Sequence, residues 1–392
     1  MRNMRLTLYA VFTLSGAAGL IYEMIWSRYL ALFLGHSAYA QVLVIAIFLG
    51  GMALGALIAG ARSERLHDPL KWYVGAELIV GVIGLFFHEI FEATTGFAYN
   101  SIFPALTGAG FLNLFKWTLA TLLILPQSVL LGATFPLMAA GVLRRPGAQP
   151  GGVLAALYST NSLGAAFGVL FAGFFLLSFV GLPGTLLSAA VINVLVAGIT
   201  TVVAIRYPSE DELQVDTQVE AADAEAALIS TDVLVRLLLA VAFGTAVASF
   251  AYEIGWLRML ALVLGSATHS FELMLSAFIL GLAFGSFWVR RRADRWRYPL
   301  RALGIVQVVM GLCALATLAL YSASFYWTAD LMATFTRSEG GYVGFTMARY
   351  AICLAIMFPA SFCAGMTLPL ITRTLLVAGA GEKSIGGVYS VI

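Results

Sequence analysis

The chain contains one segment twice. A motif near the N-terminus returns 230 positions later without a gap, and nine of the fourteen positions of segment 22–35 are identical in segment 252–265. The identical pairs are Tyr22 and Tyr252, Glu23 and Glu253, Trp26 and Trp256, Arg28 and Arg258, Leu30 and Leu260, Ala31 and Ala261, Leu32 and Leu262, Leu34 and Leu264, and Gly35 and Gly265. Self-similarity at a fixed spacing indicates two homologous structural units.

The composition places both units in a membrane. Apolar residues make up 61% of the 392 residues and charged residues only 11%, and the mean hydropathy is +0.93. A soluble domain carries about a quarter charged residues, so this chain is predicted to lie in lipid. The three cysteines and four histidines are scattered without ligand spacing. We therefore expect no metal and no cofactor, and with no P-loop or HExxH motif present we assign no catalytic residue.

About 20 apolar residues are needed to cross a bilayer, and ten segments satisfy this requirement. The predicted spans are 6–33, 38–60, 72–91, 112–142, 152–177 and 184–205, followed by 234–264, 269–289, 302–322 and 343–376. The fold is thus predicted to be all-α and polytopic, with two parallel homologous repeats of about six transmembrane helices each. We expect the second repeat to be incomplete, because the sequence stops at Ile392 inside a segment that matches the start of the fifth helix.

The distribution of charge predicts domain limits and orientation. Residues 1–206 form the first repeat, 207–232 a linker and 233–392 the second repeat. Basic residues cluster in alternate loops, which predicts a cytoplasmic N-terminus, and an even number of spans in the first repeat makes the two repeats parallel. The segment Pro208–Asp232 has eight acidic residues and no lysine or arginine, so we expect a mobile cytoplasmic linker.

The repeated Tyr-Glu-x-x-Trp-x-Arg segment is the first candidate site. An ionisable side chain inside a bilayer is costly unless it is paired or hydrated, which favours a binding role for Tyr22, Glu23, Trp26, Arg28 and their copies Tyr252, Glu253, Trp256 and Arg258. Because Glu23 and Arg28 lie about 140° apart around a helix, we predict pairing between repeats, Glu23 with Arg258 and Glu253 with Arg28. The alternative is an interfacial aromatic belt with Arg28 reaching the head groups.

The second candidate is a proline motif that is also present twice. Its members are Pro126, Ser128, Gly132, Thr134 and Pro136 in the first copy and Pro359, Ser361, Gly365, Thr367 and Pro369 in the second. Two prolines ten residues apart in one span remove backbone donors, so we expect a kinked or broken helix. Irregular backbone inside a membrane lines a cavity or is buried in protein, and both interpretations, a site lining and a packing kink, stay open.

Several segments in order resemble a known bacterial family. They are 19–28 (GLIYEMIWSR), 48–55 (FLGGMALG), 132–137 (GATFPL) and 157–164 (LYSTNSLG). These resemble the membrane region of fused major-facilitator/spermidine synthase-like proteins. The resemblance implies a multi-helix membrane region that is commonly followed by a cytoplasmic aminopropyltransferase-like domain. Any aminopropyltransferase-like activity would lie in that domain, outside these residues.

The residues and the resemblance together predict a multi-pass protein of the bacterial inner membrane. The leading hypothesis is that it binds or transports a small, cationic or amphiphilic molecule between its two repeats. A second hypothesis is a non-catalytic membrane anchor or accessory subunit of a larger complex, and a third, ranked lower, is an enzyme acting on lipid-borne substrates. The expected partners are the lipid bilayer and an aminopropyltransferase-like domain or other membrane subunits, without nucleic acid.

Overall fold

The computed structural model describes residues 2–35, 37–106, 108–145, 150–208, 231–265, 269–290, 292, 296, 298–335, 338–378 and 383–391. All regular structure in this part of the chain is helical. The helices are α1 (Arg2–Leu34), α2 (Ser37–Ser63), α3 (Pro69–Phe97), α4 (Ala109–Leu143), α5 (Pro150–Phe171), α6 (Leu177–Arg206), α7 (Thr231–Leu264), α8 (Ser270–Val289), α9 (Pro299–Thr334), α10 (Glu339–Val377) and α11 (Lys383–Val391). The predicted all-α, polytopic fold is confirmed.

Within the described residues, nine helical stretches are long and apolar enough to cross a membrane. The predicted spans 152–177 and 184–205 fall in one of them, Gly151–Arg206, because helical structure continues through the turn between α5 and α6. A π-helical turn at Ala172–Leu176 follows α5, and the backbone then changes direction at Gly181, whose φ of +66° suits only glycine. This turn lets α6 fold back against α3 and α1.

The helices of each repeat pack in corresponding pairs. In the first repeat α1 lies on α5, α2 on α4, and α3 on α6. In the second repeat α8 lies on α10, as α2 lies on α4, and α9 also packs on α10. The two repeats meet where α5 packs on α8 and where α11 packs on α2. The predicted linker 207–232 lies almost entirely outside the described residues, and the domain limits remain a prediction.

Glycines allow α2 and α4 to touch backbone to backbone. A Cβ atom at Gly55 would overlap the Val129 carbonyl of α4, and a Cβ atom at Gly132 would overlap the backbone of Met52 in α2. The second repeat forms the same contact between α8 and α10. There Gly285 meets the Phe362 carbonyl, and further along Gly281 and Gly365 are equally crowded. Small residues at such crossings are the main means by which helices associate in lipid.

The contact between repeats combines close approach with polar and aromatic contacts. Gly60 of α2 lies directly against Gly386 of α11, with no room for a side chain on either. At the α5–α8 contact the Ser286 hydroxyl donates a hydrogen bond of 2.8 Å to the Ala155 carbonyl. Phe135 of α4 and Tyr389 of α11 are stacked, with their ring centroids 4.5 Å apart.

Two buried arginines at the end of α4 hold together the ends of neighbouring helices. Arg144 donates to the carbonyls of Ser63 (2.7 Å) and Leu66 (2.5 Å), which close the C-terminal end of α2. Arg145 donates to the Tyr207 carbonyl after α6 at 3.0 Å and approaches Asp68, the N-cap of α3, at 3.5 Å. Burial lowers the pKa of the Arg145 guanidinium and the Asp68 carboxylate raises it in part, so the group stays charged.

The α2–α4 contact predicts a sharp difference between two glycine variants. Gly132→Ala presses a methyl group against the backbone of α2. We expect this overpacking to lower the free energy of unfolding by about 1–3 kcal/mol, seen as a lower unfolding temperature in detergent. Gly198→Ala in α6 is the matched control, because no atom lies within 4 Å of a Cβ at that position. Equal melting temperatures for the two variants would contradict the contact.

Candidate functional site

Two repeat-related glutamates, Glu23 and Glu253, lie on α1 and α7. Their carboxyl groups are close enough for the charge on Glu253 to act on Glu23. Glu23 is 8% exposed and Glu253 is half-buried. Neither forms an ion pair with a residue in the described part of the chain. The predicted pairs of Glu23 with Arg258 and Glu253 with Arg28 are therefore wrong.

Neither of these two carboxyl groups has a basic partner among the described residues that would compensate its charge. An ionisable group without a partner inside a membrane protein is a candidate for ligand binding. Like charges held together also favour the uptake of a cation or a proton.

The partner of Arg28 is an acid that does not belong to the repeated motif. Arg28 of α1 lies 2.5 Å from the Glu272 carboxylate in the first turn of α8, so this ion pair crosses between the repeats. The Glu272 side chain is 1% exposed and that of Arg28 is 31% exposed. Gly173, in the π-helical turn after α5, provides the space that the Glu272 side chain occupies. π-Helical turns are often found at such functional positions.

The repeat-related arginine has no equivalent acid. The position in the first repeat that corresponds to Glu272 is Val42, 230 residues earlier. Arg258 is exposed and forms no ion pair with any described residue. The two copies of the motif therefore differ in function: Arg28 joins the repeats, and Arg258 does not.

The aromatic residues of the motif belong to the interior of each repeat. Tyr22 and Trp26 are stacked with centroids 5.3 Å apart and are fully buried against α3. In the second copy Tyr252 and Trp256 are stacked at 5.5 Å, and the Trp256 indole donates to Thr317 at 3.1 Å. The aromatic-belt alternative is thus wrong, because these rings pack on protein. Tyr22 and Glu23 follow each other on α1 and point about 100° apart, so the burial of Tyr22 against α3 directs Glu23 to a different side of the helix.

The helices with two prolines are continuous. α4 runs through Pro126 and Pro136, and α10 runs through Pro359 and Pro369, so the predicted break is absent from both. In α4 the Gln127 side chain donates to the Leu123 carbonyl at 3.2 Å. Side-chain donors of this kind satisfy carbonyls near a proline and keep the helix intact.

Packing explains most of this second motif. In α4 the Ser128 hydroxyl donates to Ile124, and Thr134 donates to Leu131. In α10 Ser361 donates to Met357, while Thr367 accepts from the Gln307 amide of α9. These four hydroxyl residues are buried, and Gly132 and Gly365 form the helix crossings described above.

One further buried acid was missed at the sequence level. Glu77 in the middle of α3 is 0% exposed and accepts hydrogen bonds from Ser15 of α1 and Asn193 of α6. Its repeat-related residue is Gln307, which lies in the α9 network. A comparison limited to identical residues passes over a glutamate aligned with a glutamine. In the described part of the chain, no group of three or more histidine, cysteine or acidic side chains is placed to hold a metal.

The fold is similar to that of major facilitator superfamily transporters. The chain is 14% identical to FucP, a superfamily transporter solved in the outward conformation, over 99% of this chain and 95% of that one, with a TM-score of 0.50. It is also 14% identical to the proton:xylose symporter XylE bound to 6-bromo-6-deoxy-D-glucose, over 99% of this chain and 86% of that one, with a TM-score of 0.51. No family model and no curated protein matches the sequence. At this identity the similarity shows a major-facilitator-like fold and nothing finer.

The ion pair between repeats predicts unequal roles for the two repeated arginines. Arg28→Gln leaves Glu272 buried and unpaired, and we expect a loss of about 2–4 kcal/mol in unfolding free energy, less than for a fully buried pair because Arg28 is partly hydrated. Arg258→Gln, its repeat-related control, should change stability by about 0.5 kcal/mol or less. Unfolding in detergent followed by size-exclusion chromatography measures both.

A double variant separates the ion pair from simple packing. Arg28→Gln combined with Glu272→Gln removes both charges, so part of the stability lost in Arg28→Gln should return. If the two losses are simply additive, Arg28 and Glu272 are not coupled.

Proposed function

We propose that this protein transports a small cationic molecule across the membrane, with Glu23 and Glu253 as its binding carboxylates. The observation that carries the proposal is the pair of repeat-related acids on α1 and α7, close enough to interact electrostatically and without an ion pair to any described residue. Two carboxylates with no basic partner attract a cation strongly in a medium of low dielectric constant. The major-facilitator-like fold supports transport as the use of such a site.

In this proposal the remaining motif residues hold the helices of the site in place. The stacked pairs Tyr22–Trp26 and Tyr252–Trp256 fix the rotation of α1 and α7, and thereby the directions of Glu23 and Glu253. The buried proline motif holds α4 on α2 and α10 on α8 and is proposed as support for the transport path. Arg28 ties α1 to α8 next to the site.

The motif resemblance narrows the substrate class. If the resemblance to fused spermidine synthase-like proteins is correct, a polyamine is the natural candidate, since it carries several positive charges on an apolar chain. Such a ligand would match two carboxylates set among apolar walls. We also propose a bacterial inner-membrane location with the N-terminus in the cytoplasm, from the distribution of lysine and arginine between loops.

Binding to purified protein tests the proposal directly. Spermidine, putrescine and spermine should each be titrated by calorimetry into wild type, Glu23→Gln, Glu253→Gln and the double variant. We expect each single change to weaken binding about 10–100-fold, through the loss of one charge-assisted contact, and the double change to abolish it. Glu89→Gln, which neutralises an exposed acid on α3, is the control and should bind as wild type does.

The opposite result favours the second hypothesis. If wild type binds no polyamine saturably and the glutamine variants differ only in melting temperature, the glutamates are structural. The membrane anchor or accessory subunit then becomes the better interpretation.

Orientation has its own test. Fluorescent-protein fusions that mature only in the cytoplasm should be bright at the N-terminus and within the linker 207–232. A dark N-terminal fusion would overturn the proposed orientation without affecting the binding site.

A further inference from the structure

Glu77 is the most completely enclosed acid in the first repeat. Its Oε1 accepts a 2.6 Å hydrogen bond from the Ser15 hydroxyl of α1, and its Oε2 accepts a 2.5 Å bond from the Asn193 amide of α6. Because Glu77 itself lies on α3, this one carboxyl group joins three helices. The side chain is 0% exposed, so water has no access to it in this arrangement.

No cation balances this carboxyl group. Within the described residues Glu77 forms no ion pair with lysine, arginine or histidine. The titratable group beside it is Tyr73 from α3, while the Tyr22 hydroxyl from α1 lies farther along α3 against Gly84, and α6 contributes only the neutral Asn193. An unpaired carboxylate in so dry a place is strongly unfavourable, which favours the protonated acid while the three helices stay packed.

The surrounding groups can serve either protonation state. The hydroxyl of Tyr73 is buried without a hydrogen bond of acceptable geometry, although it lies beside both Glu77 and Ser15. A hydroxyl can accept from a carboxylic acid or donate to a carboxylate. The Oδ1 of Asn193 is also buried and unpaired, which leaves an acceptor next to the acid. A site that exchanges a proton needs this adaptability.

The second repeat contains the same arrangement without the acid. Gln307 replaces Glu77 and Thr245 replaces Ser15, each 230 residues on. The Thr245 hydroxyl donates to Gln307 at 3.0 Å, and the Gln307 amide donates to Thr367 at 3.0 Å. A neutral amide is therefore sufficient to hold these helices together. The carboxyl group of Glu77 adds only one property, an exchangeable proton.

The acid is also connected to the proposed binding site. Ser15, which donates to Glu77, lies on α1, and Glu23 follows eight residues later on the same helix. Any displacement of α1 that accompanies ligand binding at Glu23 therefore moves a hydrogen-bond donor away from Glu77.

We propose that Glu77 is a reversible proton-binding site that couples proton movement to the displacement of α1. With α1, α3 and α6 packed, the carboxylic acid holds its proton. When α1 moves and water enters, the O–H bond breaks, the proton passes to water, and Asn193, Tyr73 and water donate to the carboxylate that remains. The coupling to transport rests on the proposed function, whereas the proton site itself does not.

Infrared spectroscopy tests the proton site without any substrate. Wild type at neutral pH should show a C=O band of a protonated carboxyl group, shifted in D2O, that disappears as the pH rises. The band should lose the intensity of one carboxyl group in Glu77→Gln and keep its wild-type intensity in Glu89→Gln, and the Glu77 part should also remain in Glu23→Gln/Glu253→Gln. Gln307 is the internal precedent for a folded Glu77→Gln variant. A band of wild-type intensity in Glu77→Gln, or a Glu77 part that does not titrate before the protein unfolds, overturns the proposal.

Proteoliposomes test the coupling. With a spermidine gradient and a pH-sensitive dye inside, wild type should move protons, while Glu77→Gln should bind spermidine as wild type does and move none. Glu23→Gln should lose both binding and proton movement. Proton movement by Glu77→Gln at the wild-type rate contradicts the coupling. If wild type binds no polyamine, the proposed function fails, and the infrared result alone decides the proton site.

Discussion

In a bilayer, helices gain nothing by hiding apolar side chains from water, because the lipid is as apolar as they are. Association must come from close contact of surfaces and from hydrogen bonds. The glycine crossings between α2 and α4 and between α8 and α10 meet this requirement, since backbone touches backbone where a Cβ atom would not fit. The arrangement of the helices in each repeat depends on these crossings, because they fix the positions of α2, α4, α8 and α10 relative to one another.

Polar groups inside this framework are accommodated in three ways. Arg28 and Glu272 neutralise each other across the repeats. Glu77 accepts two hydrogen bonds without a counter-ion in the described residues, and the neutral Gln307 takes its place in the second repeat. Glu23 and Glu253 have no ion pair with a described residue. An ionisable group in a membrane that lacks such compensation is a functional-site hypothesis.

Much of the fold was predictable from the sequence because each motif occurs twice and the two copies can be compared with each other. The predicted spans correspond to observed helices, and Gly132 and Gly365 of the repeated proline motif lie at helix crossings. The ion pair was not predictable in this way, because Glu272 aligns with Val42 and carries no repeat signal. The proline spacing did not show that both helices continue without a break, since composition cannot show that Gln127 donates to a carbonyl of its own helix. The rotation of α1, which turns Trp26 inward, is decided by packing on α3 and is not encoded in the motif itself.

The stacked tyrosine–tryptophan pairs have a practical consequence. The Trp256 indole is hydrogen-bonded to Thr317, whereas the equivalent place beside Trp26 holds Phe87, and the Trp26 nitrogen has no partner among the described residues. The two indoles therefore sit in chemically different surroundings at equivalent places in the two repeats. With the other five of the seven tryptophans replaced, they would form a pair of built-in optical reporters, one for each half of the molecule.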